Sequence, residues 1–369
     1  MRRIALINQK GGVGKTTSTV NLGAALARAG RRVVLVDLDP QANLSLHLDV
    51  QIGSGEPSAY SVLLGNTALG AALRDSRTPG LRLLPSNIDL SGAELELANA
   101  FGRELILRDA IDTWEKEHRE KHGEAPADYV LLDCPPSLGL LSVNGLVAAH
   151  EAVIAVQTEF FALQGMTKLV DVVNLLRRRL NPRLEITGFL PCLYDFRTKL
   201  AREVVAELRS YFPGKVFSRP VAKNVKLAEA PSYGKTIFEY APDSSGASDY
   251  EQVATEVLAM EAERDPELAA RKREAVVEVA PVTKRRPPPP RKRAAASDEE
   301  AAPAPTEPPV VASATRPAET TKLEPTVQRE PALAIVELMP KAAPVAIEEM
   351  PELPELPPDA ELLESATDD

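Results

Sequence analysis

Short, largely apolar runs alternate with longer segments of helical periodicity along the first 263 residues of the chain. Runs of this length are typical of strands that are covered by helices on both faces. The predicted strands are 4–7, 33–36, 81–85, 129–132, 152–156 and 184–191. The predicted helices are 18–29, 60–64, 89–100, 103–122, 138–148, 163–180 and 246–263. Such alternation predicts parallel β-α-β units and therefore an α/β fold with a doubly wound, mostly parallel sheet.

The composition of the chain changes at Pro281. From there to the C-terminus, 89 residues include 18 prolines and no aromatic residue. A segment of this composition cannot bury enough apolar surface to offset the entropy lost on ordering, so we expect it to be disordered. The predicted organisation is one α/β domain over 1–263, a helical extension or linker over 264–283, and a disordered tail over 284–369. Short apolar patches such as 332–336 leave docking motifs as an alternative to a purely solvated tail.

Charge is distributed unevenly along the chain, whose formal net charge is −10. Residues 284–293 carry six basic side chains and no acidic one, whereas 294–369 carry 17 acidic and 4 basic side chains. The acidic total therefore does not exclude a basic face on the folded domain. The two cysteines, Cys134 and Cys192, indicate no disulfide framework and no zinc site. Without an apolar run long enough for a bilayer, we expect a cytoplasmic protein that has no membrane contact.

A glycine-rich loop stands between the first predicted strand and the first predicted helix. Residues 9–17 read QKGGVGKTT, with Gln9 where the common phosphate-binding loop has its first glycine. In this setting backbone N–H groups surround phosphate oxygens and the helix dipole adds positive potential. We therefore expect Lys15 to contact the β- and γ-phosphates and the Thr16 hydroxyl to bind Mg²⁺. The alternative is a glycine turn with solvated lysines, which would not need the flanking strand and helix.

Two further predicted strands end in carboxylates, at the edge where open α/β sheets bind ligands. Residues 32–41 read RVVLVDLDPQ and contain Asp37 and Asp39, and residues 129–137 read YVLLDCPPS and contain Asp133. Together with the additional Lys10 in the glycine loop, these segments resemble the deviant Walker A family of P-loop ATPases. That family includes ParA and MinD, the nitrogenase iron protein and the arsenite-pump ATPase.

Three segments are similar to the ParA branch, which segregates DNA: 133–141, 159–165 and 224–232. The resemblance runs from residue 2 to about 260 and fits the short, Soj-type form without an N-terminal helix-turn-helix. The nitrogenase iron protein fits less well, because neither cysteine has the neighbours of an iron–sulfur cluster ligand. Bacterial tyrosine kinases that share this loop end in a cluster of tyrosines, whereas no tyrosine follows Tyr250 here. MinD ends in a basic amphipathic helix that lies on membranes, whereas 361–369 here are acidic.

The resemblance implies an ATPase that uses ATP and Mg²⁺, is slow alone and is stimulated by a partner. Asp39 would orient the attacking water, Asp133 would hold Mg²⁺ through its water shell, and Asp37 would support the metal. Lys10 would cross to the phosphates of a second subunit in an ATP-dependent homodimer. The implied catalytic residues are Lys10, Lys15 and Asp39, the metal site comprises Thr16, Asp37 and Asp133, and the nucleotide-binding residues are Lys10, Gly11, Gly12, Val13, Gly14, Lys15, Thr16, Thr17 and Asn224.

The resemblance also implies that the ATP-bound dimer binds DNA phosphates without sequence preference. Family positions fall on Arg197 and Lys226, with Arg219 and Lys223 beside them. The family usually reads PRNVR where residues 222–226 read AKNVK, and lysine keeps the charge but loses the bidentate guanidinium. A solvated basic face is the alternative for these residues.

The function that follows is segregation of chromosome or plasmid origins together with a ParB-type partner, on the nucleoid. The alternative function is an ATP-dependent scaffold that positions another cargo, such as a polar or chemosensory complex.

Overall fold

A seven-stranded sheet forms the centre of the computed structural model, which describes residues 1–159 and 164–264. The strand order is β3-β4-β2-β5-β1-β6-β7. Every neighbouring pair is parallel except the two-residue β3, which runs antiparallel to β4. The strands are β1 Arg2–Ile7, β2 Val33–Asp37, β3 Arg74–Asp75, β4 Leu81–Leu84, β5 Tyr129–Asp133, β6 Glu151–Gln157 and β7 Glu185–Cys192.

Helices connect the parallel strands. In the described ranges they are α1 Lys15–Arg28, α2 Asn43–His47, α3 Ala59–Leu63, α4 Leu69–Ala72, α5 Leu90–Glu96, α6 Ile106–His122, α7 Leu140–Ala148, α8 Gln164–Arg179, α9 Lys199–Tyr211, α10 Val225–Glu229, α11 Ile237–Tyr240 and α12 Ser245–Arg264, with a 3₁₀ turn at Ala230–Tyr233.

The sheet separates two hydrophobic cores. Successive side chains of a strand point to opposite faces, so Ala5 and Ile7 enter one core whereas Ile4 and Leu6 enter the other. Side chains of α6, α7 and α8 complete the first core, and those of α1 and α12 complete the second. Burial on both faces explains why the strands read as continuous apolar runs rather than as alternating patterns.

The strand order brings three chain segments to one edge. β1 lies between β5 and β6, and β5 lies between β1 and β2. In the β2–β5 register, Asp37 is the partner of Asp133, and Leu6 of β1 is also paired with Asp133. The loop after β1 therefore begins beside the carboxylates that end β2 and β5.

The predicted doubly wound, mostly parallel sheet is confirmed, and the predicted elements lie within a few residues of those observed. The sequence reading missed α9, which is amphipathic and begins where the Thr198 hydroxyl accepts a hydrogen bond from the Ala201 amide. It also missed the antiparallel β3. The predicted tail over 284–369 lies outside the described residues, as does the predicted extension beyond residue 264. Within the described ranges, no helix is both long and apolar enough to cross a membrane.

Candidate functional site

The loop after β1 leaves its backbone open at the N-terminus of α1. Gly12 and Gly14 have φ of +72° and +94°, a left-handed conformation that glycine adopts readily. No atom lies within 4 Å of where a Cβ would stand on Gly11 or Gly12. α1 has 14 residues and no acidic side chain in its first turn, so its free amides and dipole favour an anion. This geometry fits a phosphate group.

Lys15 is the first residue of α1 and is only 7% exposed. Among described residues, its Nζ has one hydrogen-bond acceptor, the Lys10 carbonyl oxygen at 3.4 Å. Burial lowers the pKa of Lys15, and the carboxylates of Asp133 and Asp39 partly oppose that shift. A buried ammonium group with one weak acceptor is costly unless an anion joins it. Lys15 is therefore suited to bind the phosphates.

Asp133 ends β5 and is fully buried beside the loop. Its Oδ2 accepts a hydrogen bond of 2.6 Å from the Thr16 hydroxyl, and its Oδ1 accepts one of 3.3 Å from Thr19. Burial and the nearby Asp37 carboxylate raise the pKa of Asp133 to about 7. Buried carboxylates that repel one another favour a cation between or beside them.

Asp37 is the last residue of β2 and is hydrogen-bonded by a residue of α2. Its Oδ2 accepts hydrogen bonds from the Ser45 amide at 2.9 Å and from the Ser45 hydroxyl at 2.7 Å. Burial raises the pKa of Asp37 to about 6. Ser45 belongs to α2, an element that the sequence reading did not predict.

Raising the pH from 6.5 to 8 should lower the melting temperature of the nucleotide-free protein. The pKa of Asp133 is about 7 when folded and 3.8 in its ordinary environment. Across this window the folded state binds more protons than the unfolded state, so stability falls as pH rises. Asp133→Asn removes this titration, so the melting temperature of the variant should depend less on pH. Thermal denaturation of the variant and the parent protein over this pH range measures the two curves of melting temperature against pH. Parallel curves for the two proteins would contradict the prediction.

Asp39 lies two residues beyond the end of β2 and is 9% exposed. Its amide donates to Asp37 Oδ1 at 3.2 Å, and its own Oδ1 accepts the Gln41 amide at 3.0 Å. The Ser86 hydroxyl also donates to the Asp39 carbonyl oxygen at 2.9 Å. These bonds fix Asp39 at the wall of the cavity in front of the loop.

This cavity has a volume of about 470 Å³, within the range of small-molecule sites. Gly11, Gly12, Gly14, Lys15, Thr16 and Thr17 form one wall. The opposite wall comes from the C-terminal half of the domain and is largely apolar: Leu193, Val221, Ala222, Asn224, Leu227 and Tyr250. A polar phosphate-binding wall that faces an apolar one suits a nucleotide.

Asn224 is the predicted nucleotide-binding residue on the far wall. Its Oδ1 caps α10 by accepting the Lys226 amide at 2.7 Å, and its Nδ2 donates to the Ser245 hydroxyl at 2.7 Å. Sequence reasoning missed Tyr250, whose hydroxyl lies 3.0 Å from the Ser18 hydroxyl. Tyr250 is more than 200 residues from the loop, and no local pattern marks such a contact.

Lys10 is exposed, whereas Lys15 is buried in the wall of the cavity. The side chain of Lys10 does not line the cavity, and its Nζ donates to Glu159 Oε2 at 2.8 Å. Phe160 to Leu163, which follow Glu159 in the predicted family segment, lie outside the described residues.

The residues at the loop fit a magnesium ion that arrives with a nucleotide. In the described part of the chain, no group of three or more His, Cys, Asp or Glu side chains is arranged to hold a metal. Mg²⁺ commonly takes one or two protein oxygens and completes its shell with water and phosphate oxygens. Thr16 would supply such an oxygen, and Asp133, which accepts a hydrogen bond of 2.6 Å from the Thr16 hydroxyl, would hold the ion through its water shell.

Comparison with known proteins identifies the family. Residues 1–186 match the family model described as an AAA domain. The chromosome-partitioning ATPase Soj of Treponema pallidum is 43% identical over 263 residues, which cover 71% of this chain and 99% of that protein. The chain belongs to the ParA/Soj family of chromosome-partitioning ATPases. The chromosome-partitioning protein ParA of Caulobacter vibrioides is 40% identical over 269 residues, which cover 73% of this chain and 98% of that protein.

A solved relative shows the ligands that accompany this fold. The structure of cobyrinic acid a,c-diamide synthase from Mycobacterium smegmatis, with a bound ATP analog and magnesium, is 35% identical with a TM-score of 0.61. The match covers 72% of this chain and 97% of that one. This chain is a ParA/Soj-family ATPase, and the geometry of its glycine loop fits the two ligands that this relative binds.

The four cations predicted to contact DNA lie on two segments of the ParA/Soj domain that are joined by backbone hydrogen bonds. The Tyr194 amide donates to the Val221 carbonyl oxygen at 3.0 Å, and the Lys223 amide donates to the Tyr194 carbonyl oxygen at 2.9 Å. Arg197 follows the first segment, whereas Arg219 and Lys226 flank the second.

Three of these cations carry carboxylate partners within the chain. Arg197 pairs with Asp195 at 2.7 Å, Lys226 with Glu229 at 2.8 Å, and Arg219 with the buried Asp249 at 2.6 Å. The exposed pairs of Arg197 and Lys226 contribute little to stability, so these cations readily exchange their carboxylates for other partners. Arg219 is held more firmly, because Asp249 also accepts the Ala222 amide at 2.9 Å.

Proposed function

We propose that this chain is an ATP-dependent, dimerising ATPase that binds DNA without sequence preference and segregates chromosome or plasmid origins with a ParB-type partner. The observation that carries the proposal is its relationship to partitioning ATPases over 98–99% of their length. It would act on the nucleoid in the cytoplasm. The ATPase domain predicted over 1–263 would suffice for these activities, with 264–369 modulating them.

The proposed role of each residue follows from the position of its side chain. Lys15 and the loop amides bind the phosphates, and Thr16 and Asp133 hold the metal while Asp37 supports them. A bound Mg²⁺ ion would neutralise part of the phosphate charge. Asp39 is fixed at the cavity wall and forms no ion pair with Lys15. It orients the water that attacks the γ-phosphate. From the family resemblance we expect slow hydrolysis that a partner accelerates.

Dimerisation is proposed to bring Lys10 to the second subunit. Its exposed side chain leads out of its own cavity, and the neighbouring Gly12 offers a surface without side-chain atoms. A second copy could therefore approach the loop closely. The nucleotide would then lie at the interface, which makes the dimer dependent on ATP.

The proposed DNA surface shares its loops with the nucleotide cavity. Leu193 and Ala222 line the cavity, and Arg197 and Lys223 follow them within a few residues. A nucleotide that fixes the conformation of these loops would also fix the positions of their basic side chains. Dimerisation would double the number of phosphate contacts, which is why DNA binding should need ATP.

The double variant Arg197→Glu with Lys226→Glu should lose ATP-dependent DNA binding while it keeps ATP hydrolysis without DNA. Each phosphate contact should contribute about −0.9 to the slope of log affinity against log salt, so binding should weaken steeply with salt. Fluorescence anisotropy with duplexes of unrelated sequence measures both effects. The matched control is Lys116→Glu with Lys121→Glu on α6, which changes the same charge away from these loops.

The basic segment 284–293 provides the competing explanation for DNA binding. A chain that ends at Ala280 lacks this segment but keeps every cation of the folded domain. ATP-dependent DNA binding should survive this truncation. Loss of binding, or equal binding without ATP in the full-length chain, would exclude Arg197 and Lys226 as the switch-controlled site. The scaffold for another cargo, the alternative function, would then be favoured.

A further inference from the structure

A separate cavity of about 310 Å³ lies at the edge of the sheet opposite the nucleotide site. Its walls come from the start of β1, from α6, and from the loops that lead into β6 and β7. The nucleotide loop instead follows the end of β1. The volume is at the lower limit of small-molecule sites and is larger than a bare inorganic anion requires.

Most of the titratable residues that line this cavity are basic. Arg3, Arg108, Arg183 and His150 contribute to its walls, against the single carboxylate of Asp112. Burial lowers the pKa of His150, and Arg3, Arg183 and the N-terminal ammonium lower it further. Arg108 pairs with its exposed neighbour Asp109 at 2.8 Å. Within residues 1–159 and 164–264, no carboxylate forms an ion pair with Arg183, so its guanidinium group is available to an anion in the cavity.

Arg3 provides an independent observation. It is 4% exposed, and its Nη2 donates to Asp112 Oδ1 at 2.6 Å and to Glu115 Oε2 at 3.0 Å. Its Nε is buried and has no hydrogen-bond partner among the described residues. Buried donors in native proteins are almost always satisfied, so an orphaned guanidinium N–H in the wall of a basic cavity indicates a missing acceptor.

The remaining lining is apolar and comes from Val147, Ala148, Leu180 and Pro182. A ligand that satisfies both walls carries a compact anionic group and a carbon body. Arginine forms paired, charge-assisted hydrogen bonds with phosphate oxygens. We propose that this cavity binds the phosphate group of a small phosphorylated organic molecule, with Arg3, Arg108 and Arg183 around the phosphate and the apolar wall against the carbon body.

Titration calorimetry on the full-length chain tests the proposal, with the nucleotide site first saturated by ADP and Mg²⁺. Phenyl phosphate should bind saturably, and inorganic phosphate should bind more weakly because it does not use the apolar wall. Arg183→Glu should weaken phenyl phosphate binding about tenfold or more, since a charge-assisted contact becomes repulsive. Arg183 is exposed, so the variant should fold, and an unchanged melting temperature verifies this.

The matched control is Arg178→Glu, an exposed α8 residue of equal charge that does not line the cavity. It should bind phenyl phosphate like the parent protein. Arg108→Glu, on a different element, should weaken binding as Arg183→Glu does. The proposal is overturned if phenyl phosphate does not bind saturably, or if Arg178→Glu and Arg183→Glu bind it equally. Equal affinity for inorganic phosphate would refute the organic ligand.

Discussion

Lys15→Ala should abolish ATP binding at concentrations that saturate the parent protein, a loss of about a hundredfold or more in affinity. The buried Lys15 ammonium faces the open backbone of the glycine loop, and its Nζ has only one weak acceptor in the described chain. The variant would also remove the cation whose charge interacts with the Asp133 and Asp39 carboxylates, so these carboxylates would repel the phosphates more strongly. Binding of a fluorescent ATP analogue measures the loss.

Asp39→Ala is the companion change at the same cavity. Because Asp39 is proposed to act on the water rather than on the nucleotide, this variant should retain ATP and accumulate as a dimer. Its hydrolysis should fall about a hundredfold or more, the cost of misplacing a reacting group. Size exclusion with ATP, together with phosphate release, separates the two variants. An Asp39→Ala protein that binds ATP but stays monomeric, or that hydrolyses it normally, would remove Asp39 from its proposed role.

The sequence predicted the phosphate-binding wall because that wall is local. Gly11 to Thr17 form one continuous segment, and Asp37 and Asp133 each end an apolar run, so topology alone brings them to one edge. Such features are encoded within a few residues of one another. The ATPase reaction and its cofactors followed from the resemblance of these segments to the deviant Walker A family.

Apart from Asn224, which the family resemblance supplied, the far wall of the cavity could not be predicted in this way. Tyr250 and Leu193 reach it through long-range packing, and neither stands in a local motif. α9 is a different case, since its amphipathic pattern and the cap at Thr198 were visible in the sequence and were overlooked. The carboxylate partners of Arg197 and Lys226 lie two and three residues away, yet side-chain geometry was needed to show that they pair.

Lys10→Ala should leave ATP binding nearly unchanged and should eliminate ATP-dependent dimerisation and stimulated hydrolysis. The reason is geometric, because Lys10 Nζ contacts Glu159 and lies outside the cavity that holds Lys15. Its cationic group is therefore available for phosphates on another subunit. Nucleotide affinity and sedimentation with ATP, measured on the same preparation, give the two quantities to compare.

Glu159→Gln is the matched control, since it removes the partner of Lys10 without altering Lys10. The pair is exposed on both sides and contributes about 0–1 kcal/mol, so crossing to a second subunit breaks it at small cost. This variant should therefore dimerise as the parent does, or up to about fivefold more readily, because 1 kcal/mol is roughly that factor. Parallel losses of ATP binding and dimerisation in Lys10→Ala would mean that Lys10 serves its own nucleotide. In that case the exposed Lys10–Glu159 pair would be a surface contact that rearranges on binding ATP, and the interface would need another source of charge.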